Sequence, residues 1–182
     1  MPLRRTRRPA VQRTASWLVA LTVAATSGVG LAIPRSGGAQ EVGLPVGTAA
    51  PAAAVETLDG RPVDLARVVA GRPALIEFWA TWCPNCKQLE PQIATLAAKY
   101  GTRLQLVTLA VSVNQTPERV RRYVAARRIP GIVLYDRAGQ ATSAYDAPAT
   151  SYVVLLDRTG RVVYTGQGGD QDLAAAVRRL LP

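Results

Sequence analysis

Ala74-Leu75-Ile76-Glu77-Phe78-Trp79-Ala80-Thr81-Trp82-Cys83-Pro84-Asn85-Cys86 is the stretch from which the architecture of this chain can be read. Its first half is a short run of apolar, strand-forming residues broken only by Glu77. The chain then turns through Ala80, Thr81 and Trp82 and delivers Cys83 where a helical pattern begins. That pattern is carried by Leu89, Ile93, Leu96, Ala97 and Tyr100, which recur at three- and four-residue spacing. A cysteine at a helix N-terminus meets unpaired backbone N–H groups and the positive end of the dipole, and both favour thiolate over thiol. Cys86 follows one turn later, within reach of Cys83 for a disulfide. Such a placement suits a reversible dithiol.

Working outward, the remaining pattern is that of an α/β chain. Val55 to Val63 around Asp59-Gly60 reads as a β-hairpin, and Asp64 to Val69 as a short helix. Leu104 to Val111 is almost continuously apolar, as expected of a central parallel strand buried on both faces. Pro117 opens a helix with Val120, Tyr123 and Val124 inward. Ile132 to Tyr135 is another short strand, and Asp136 to Tyr145 a turn and a short helix. Tyr152 to Leu156 and Arg161 to Thr165 form an antiparallel hairpin through Asp157–Gly160. Asp170 or Asp172 caps a last helix with Leu173, Val177 and Leu180 on one face. Strand, helix, strand, helix, strand, hairpin and helix predict a central mixed β-sheet flanked by helices.

The 182 residues carry 22 Lys+Arg against 12 Asp+Glu, a net charge of +10. Placement argues against nucleic acid as a partner. Six of those arginines precede Gln40 and every acidic residue follows it, so the rest of the chain is only slightly basic. Arg119, Arg121, Arg122, Arg127 and Arg128 have few aromatic neighbours and read as a solvated helix face. With no histidine in the chain, Cys–His hydrolysis and His-ligated metal sites drop out. Two cysteines alone do not make a structural zinc site, so no metal site is expected. Met1 to Arg13 is basic and Trp17 to Ile33 apolar, the pattern of a secretory signal with a cut after Ala39. The other reading is an uncleaved membrane anchor, although Thr22, Thr26, Ser27, Gly28 and Gly30 suit a membrane poorly. The expected organisation is residues 1–39 as signal or anchor, 40–50 as linker and lead-in, and 51–182 as one domain. Either leader places the cysteines outside the cytoplasm.

Trp-Cys-Pro-Asn-Cys after an apolar strand resembles the active site of the thioredoxin superfamily. More of the chain is similar to the extracytoplasmic TlpA-like thiol-disulfide oxidoreductases. The matching pieces are Gly47-Thr48-Ala49-Ala50-Pro51, Asp59-Gly60, Phe78 to Cys86 and Asp157-Arg158-Thr159-Gly160. The resemblance implies a thioredoxin-like fold with an N-terminal β-hairpin extension. It also implies reduction of protein disulfides, maintenance of apocytochrome or copper-site thiols, and a membrane thiol carrier as electron donor. No cofactor is implied beyond a redox-active Cys83–Cys86 disulfide.

In this reading Cys83, exposed at the helix start and flanked by Trp82, is the attacking thiol; thiolates in such motifs have depressed pKa values, spread over roughly 3.5 to 7.5. Cys86 resolves the mixed disulfide. Pro84 and Asn85 set the redox poise through the donors they leave around the thiolate. A purely stabilising bridge is disfavoured, because so small a loop constrains the unfolded chain little. Glu77 is expected to be desolvated and raised toward a pKa useful for proton transfer; the superfamily resemblance implies a buried carboxylate there that serves the resolving cysteine. The alternative puts Glu77 at a sheet edge, in contact with water. The superfamily also implies a cis-proline before the hairpin's first strand. Counting back from Asp157 lands on Ser151, whereas counting forward from Tyr145 favours Pro148, at the cost of a lengthened or bulged strand. Two other functions remain open. One is a thiol peroxidase of the same fold, though Thr-x-x-Cys is absent and Thr81 precedes Cys83 by two. The other is a non-enzymatic exported binding module with a structural disulfide.

Overall fold

The computed structural model describes residues 42–182. The leader expected in residues 1–39 lies outside the described residues. Seven strands form one mixed sheet with the order β2-β1-β5-β4-β3-β6-β7. In chain order these are β1 (Ala54–Thr57), β2 (Pro62–Asp64), β3 (Ala74–Trp79), β4 (Gln105–Val111), β5 (Ile132–Asp136), β6 (Tyr152–Leu156) and β7 (Val162–Gln167). The helices are α1 (Leu65–Val68), α2 (Pro84–Tyr100), α3 (Pro117–Arg127), α4 (Gln140–Ala144) and α5 (Leu173–Leu180). The resulting arrangement is thioredoxin-like, with the Asp59-Gly60 hairpin pairing through β1 to β5.

The apolar run Ala74–Trp79 sits deep in the sheet, parallel to β4 on one side and antiparallel to β6 on the other. Burial on both faces removes the need for alternation, which is why its pattern is continuous rather than period two. Side chains still alternate in direction. Ile76 and Phe78 join the cluster that contains Tyr145 and Tyr152. Leu75 joins the opposite one, under α2 and α5. Glu77 shares the parity of Leu75 and Trp79, so it points beneath α2.

The start of α2 follows from its residues. Cys83 is the N-cap, and Pro84 at the first helical position has neither an N–H to satisfy nor a φ to fix. Leu89, Ile93, Leu96 and Tyr100 then bury one face. Helix α2 continues through Pro91 to Tyr100. At the far end, Asp172 rather than Asp170 caps α5, its side chain accepting from the Ala175 N–H at 2.8 Å.

Part of the expected linker belongs to the fold. Gly47 N–H bonds to the Val162 carbonyl and Val162 N–H to that of Thr48, both at 2.8 Å. The Leu44 N–H donates to the Tyr152 hydroxyl at 2.9 Å. Gly43 has φ +79, and a Cβ there would collide with the Tyr152 ring. The buried docking surface is a tyrosine more than a hundred residues away, which local composition does not reveal.

Candidate active site

The disulfide Cys83–Cys86 is formed, with its Cα atoms 5.3 Å apart. Cys83 Sγ accepts a hydrogen bond from the Cys86 backbone N–H at 3.1 Å. That donor is one of the free N–H groups of the first helical turn, and it stabilises negative charge on Cys83 rather than Cys86. Cys83 was expected to be the exposed cysteine, yet both residues are only 2% accessible. Both belong to a buried cluster with Trp79, Ala80, Ala110, Val111, Val120 and Tyr135. The difference between the two sulfurs lies in the helix terminus, not in exposure.

The loop that carries the cysteines is held through Trp82 and Gln115. Trp82 Nε1 donates to the Val113 carbonyl at 2.8 Å, leaving the ring partly exposed beside the bridge. The Thr81 N–H donates to Gln115 Oε1 at 2.9 Å, and Gln115 Nε2 donates to the Val111 carbonyl at 2.6 Å. Tyr135 then donates its hydroxyl to the Gln115 carbonyl at 2.8 Å. Pro84 and Asn85 are exposed on the outer surface of the turn.

Beside Trp82 runs a groove of about 480 Å³, lined by Val111, Val113, Ala147, Pro148 and Thr150 among others. It is mainly apolar and open to solvent. Strand β6 begins at Tyr152 and does not extend back toward Pro148; the one register shift of the hairpin lies at its other end, between Leu155 and Leu156. Ser151, not Pro148, therefore stands immediately before the strand, while Pro148 is an exposed residue of the groove wall. The Ser151 N–H donates to the Phe78 carbonyl at 2.8 Å. Its carbonyl accepts from Gln171 Nε2 at 3.0 Å, and Gly168 N–H donates to its Oγ at 3.2 Å. Ser151 has φ +63, a left-handed conformation unusual for serine.

Glu77 lies inside the sheet rather than at an edge, and is 3% accessible. It lines a small cavity together with Trp79, Cys86, Glu90 and Thr108. Burial pushes its carboxyl up to about 8, with the negative charge of Glu90 adding in the same direction. The buried base-type carboxylate and Cys86 thus border one space, whereas Cys83 does not line it. Glu90, Gln115 and Gln171 were not singled out in the sequence. Only Glu90 offered a signal, since it lies four residues after Cys86 and so on the same helix face.

A half-cysteine pair closed across the first turn of a helix, at the C-terminal edge of a central strand, defines a thioredoxin-like dithiol protein. The chain matches the Redoxin family over residues 45–180 and belongs to it. It is 31% identical over 154 residues to the methylamine utilization protein MauD of Methylophilus methylotrophus, covering 82% of this chain and 70% of that one. It is 23% identical to the thiol-disulfide oxidoreductase ResA of Bacillus cereus, over 85% of this chain and 89% of ResA. A candidate thiol:disulfide interchange protein DsbE from Chlorobium tepidum superposes with TM-score 0.66 at 25% identity, over 76% of this chain and 99% of that one. The protein is accordingly a thiol-disulfide oxidoreductase of the TlpA-like group.

Proposed function

We propose that the protein reduces disulfides of partner proteins outside the cytoplasm, with Cys83 as nucleophile and Cys86 as resolving thiol. The Cys83 thiolate attacks one partner sulfur, the partner disulfide breaks, and its other sulfur leaves as a thiolate that takes up a proton. Cys86 gives its proton to Glu77 and attacks Cys83 Sγ. The second partner sulfur leaves, and the Cys83–Cys86 disulfide stores the oxidised state. Two electrons have passed to the partner. A membrane thiol carrier resets the pair, as in the proteins this chain resembles.

The observation that carries this reading is the Cys86 N–H donated to Cys83 Sγ at the helix start. It favours charge on the first sulfur. The groove beside Trp82 supports a polypeptide partner, and Pro148, Ala149 and Thr150 line one side of it. The basic and apolar segments before Gln40 support export, by a cleaved signal or with a retained tether. Maturation of cytochromes is the role suggested by the TlpA-like resemblance.

The test is a pair of trapping variants. Cys86→Ser is expected to accumulate mixed disulfides with extracytoplasmic proteins, and Cys83→Ser to accumulate none. Equal trapping by both would overturn the assignment of roles. With purified protein, reduction of insulin disulfides is expected and consumption of peroxide is not; the reverse result would establish the peroxidase alternative.

A further inference from the structure

The cavity behind the dithiol has a member that the exchange steps do not use. Glu77, Trp79, Cys86, Ile93 and Thr108 around it are all 3% accessible or less. Its outer members are Glu90, Ile129 and Pro130, all partly accessible. The space is about 10 Å³, near the size that admits one water. Two buried polar atoms on its wall, Glu77 Oε1 and Trp79 Nε1, have no hydrogen-bond partner among the described residues. Buried polar atoms are ordinarily satisfied, so unpartnered ones at a cavity point to a role for that cavity.

Glu90 is held firmly from α3. The Tyr123 hydroxyl donates to its Oε1 at 2.6 Å, and the Arg127 guanidinium donates to its Oε2 at 2.7 and 3.0 Å. Tyr123 has its own pKa pushed up to about 12, first by burial and then by Glu90, so it remains a donor. We propose that Glu90, clamped by Tyr123 and Arg127, is the positioning residue that sets when Glu77 can accept the proton of Cys86 and where that proton leaves. The proposal rests on the reading of Cys86 as resolving thiol and Glu77 as its base.

The groups around Glu77 make the assignment specific. Helix α2 presents Cys86 and Glu90, with Tyr123 and Arg127 of α3 beyond Glu90. Neighbouring β4 presents Thr108, and β6 places Val153 opposite Glu77 in register; neither titrates. Glu90 is therefore the charge that bears on Glu77, and Arg127 is the counter-charge that moderates it. When Cys86 attacks, its proton passes to the Glu77 carboxylate. A buried carboxylic acid must then lose this proton before the next cycle, and the Glu90 end of the cavity is the partly accessible one.

The experiment is a ¹³C NMR titration of the Glu77 carboxyl in the oxidised protein, which requires no exchange activity. A wild-type midpoint near pH 8 is expected, in line with its burial. Glu90→Gln is expected to lower it by about 1 pH unit, the size of a removed neighbouring charge. Arg127→Ala, altering an exposed side chain, is expected to raise it. The pH profile of mixed-disulfide resolution should move in the same opposite directions. An unmoved midpoint in Glu90→Gln, or movement of both variants in one direction, would overturn the proposal. Because the titration is read without turnover, loss of exchange chemistry with an intact shift would count against the proposed function instead.

Discussion

The two flanks of the Cys83–Cys86 bridge differ in every physical respect. On the Trp82 side is a broad apolar groove open to solvent, with Val113 58% accessible. On the Cys86 side is a closed space hardly larger than a water, with two carboxylates on its wall. The first turn of α2 separates them. Recognition needs exposed apolar area and backbone groups, while proton handling needs low dielectric and few competitors. Placing the two on opposite sides of one short turn lets each keep the environment it requires. It follows that a change on one flank should leave the other's readout intact, and this separation is open to test.

The largest effect is expected on the closed flank. Glu77→Gln keeps the shape and removes the proton acceptor, so turnover should fall by about a hundredfold, the usual size for losing a general base. The same variant has a stability signature whose sign is fixed. The folded-state pKa, about 8, lies above the ordinary value of 4.5. Between those values the native protein holds a proton that the unfolded chain has lost. Wild-type stability should therefore decline as pH rises through this window, by at most about 1.4 kcal/mol per pH unit from this group. Denaturant titrations at several pH values should show that slope in the wild type and its loss in Glu77→Gln. A fall in turnover of less than a few-fold would remove Glu77 from the reaction.

A smaller effect, in stability rather than rate, is expected where the groove wall is anchored. The TlpA-like resemblance implies a proline before the hairpin, and Ser151 occupies that place. Ser151→Pro would remove the N–H that satisfies the Phe78 carbonyl. It would also impose a negative φ where the chain has +63. The buried carbonyl left unpaired costs about 1–3 kcal/mol, and the backbone conflict adds to this. Ser151→Gly, which accepts a positive φ, is expected to be far milder despite losing the Oγ contact to Gly168. Thermal unfolding of the two variants measures the difference. A stabilised Ser151→Pro protein would show that the groove wall adopts the family geometry once proline is supplied.

These contrasts also explain what the sequence disclosed. The apolar run Ala74–Trp79, the Pro84 start of α2 and the Asp59-Gly60 turn are local signals, and the structure has each element within a residue or two of its expected position. The burial of Glu77 was legible because a carboxylate inside so apolar a strand has few places to go. What was not legible depends on contacts distant in the chain. The docking of residues 43–50 depends on Tyr152 and Val162, and the support of Thr81 comes from Gln115. The position before β6 turns on where the strand starts, which the competing counts from Asp157 and Tyr145 left open. The burial of Cys83 likewise depends on a cluster that includes Ala110, Val120 and Tyr135, from three other elements.

The smallest effect is expected on the open flank, at Trp82. Trp82→Phe retains an aromatic ring at the groove but loses the hydrogen bond from Nε1 to the Val113 carbonyl. An exposed neutral hydrogen bond contributes about 0.5–1.5 kcal/mol, so the ring should sample other positions and the groove should lose definition. For a polypeptide disulfide that lies along the groove, KM should rise by roughly two- to tenfold, the equivalent of that energy, with kcat little changed. For a small disulfide such as oxidised dithiothreitol, which does not fill the groove, neither constant should change appreciably. The pH profile should also be unchanged, because Glu77 and Glu90 lie across the helix turn. A Trp82→Phe protein that shifted the pH profile, or slowed both substrates equally, would mean that the two flanks are coupled through the cystine rather than insulated by it.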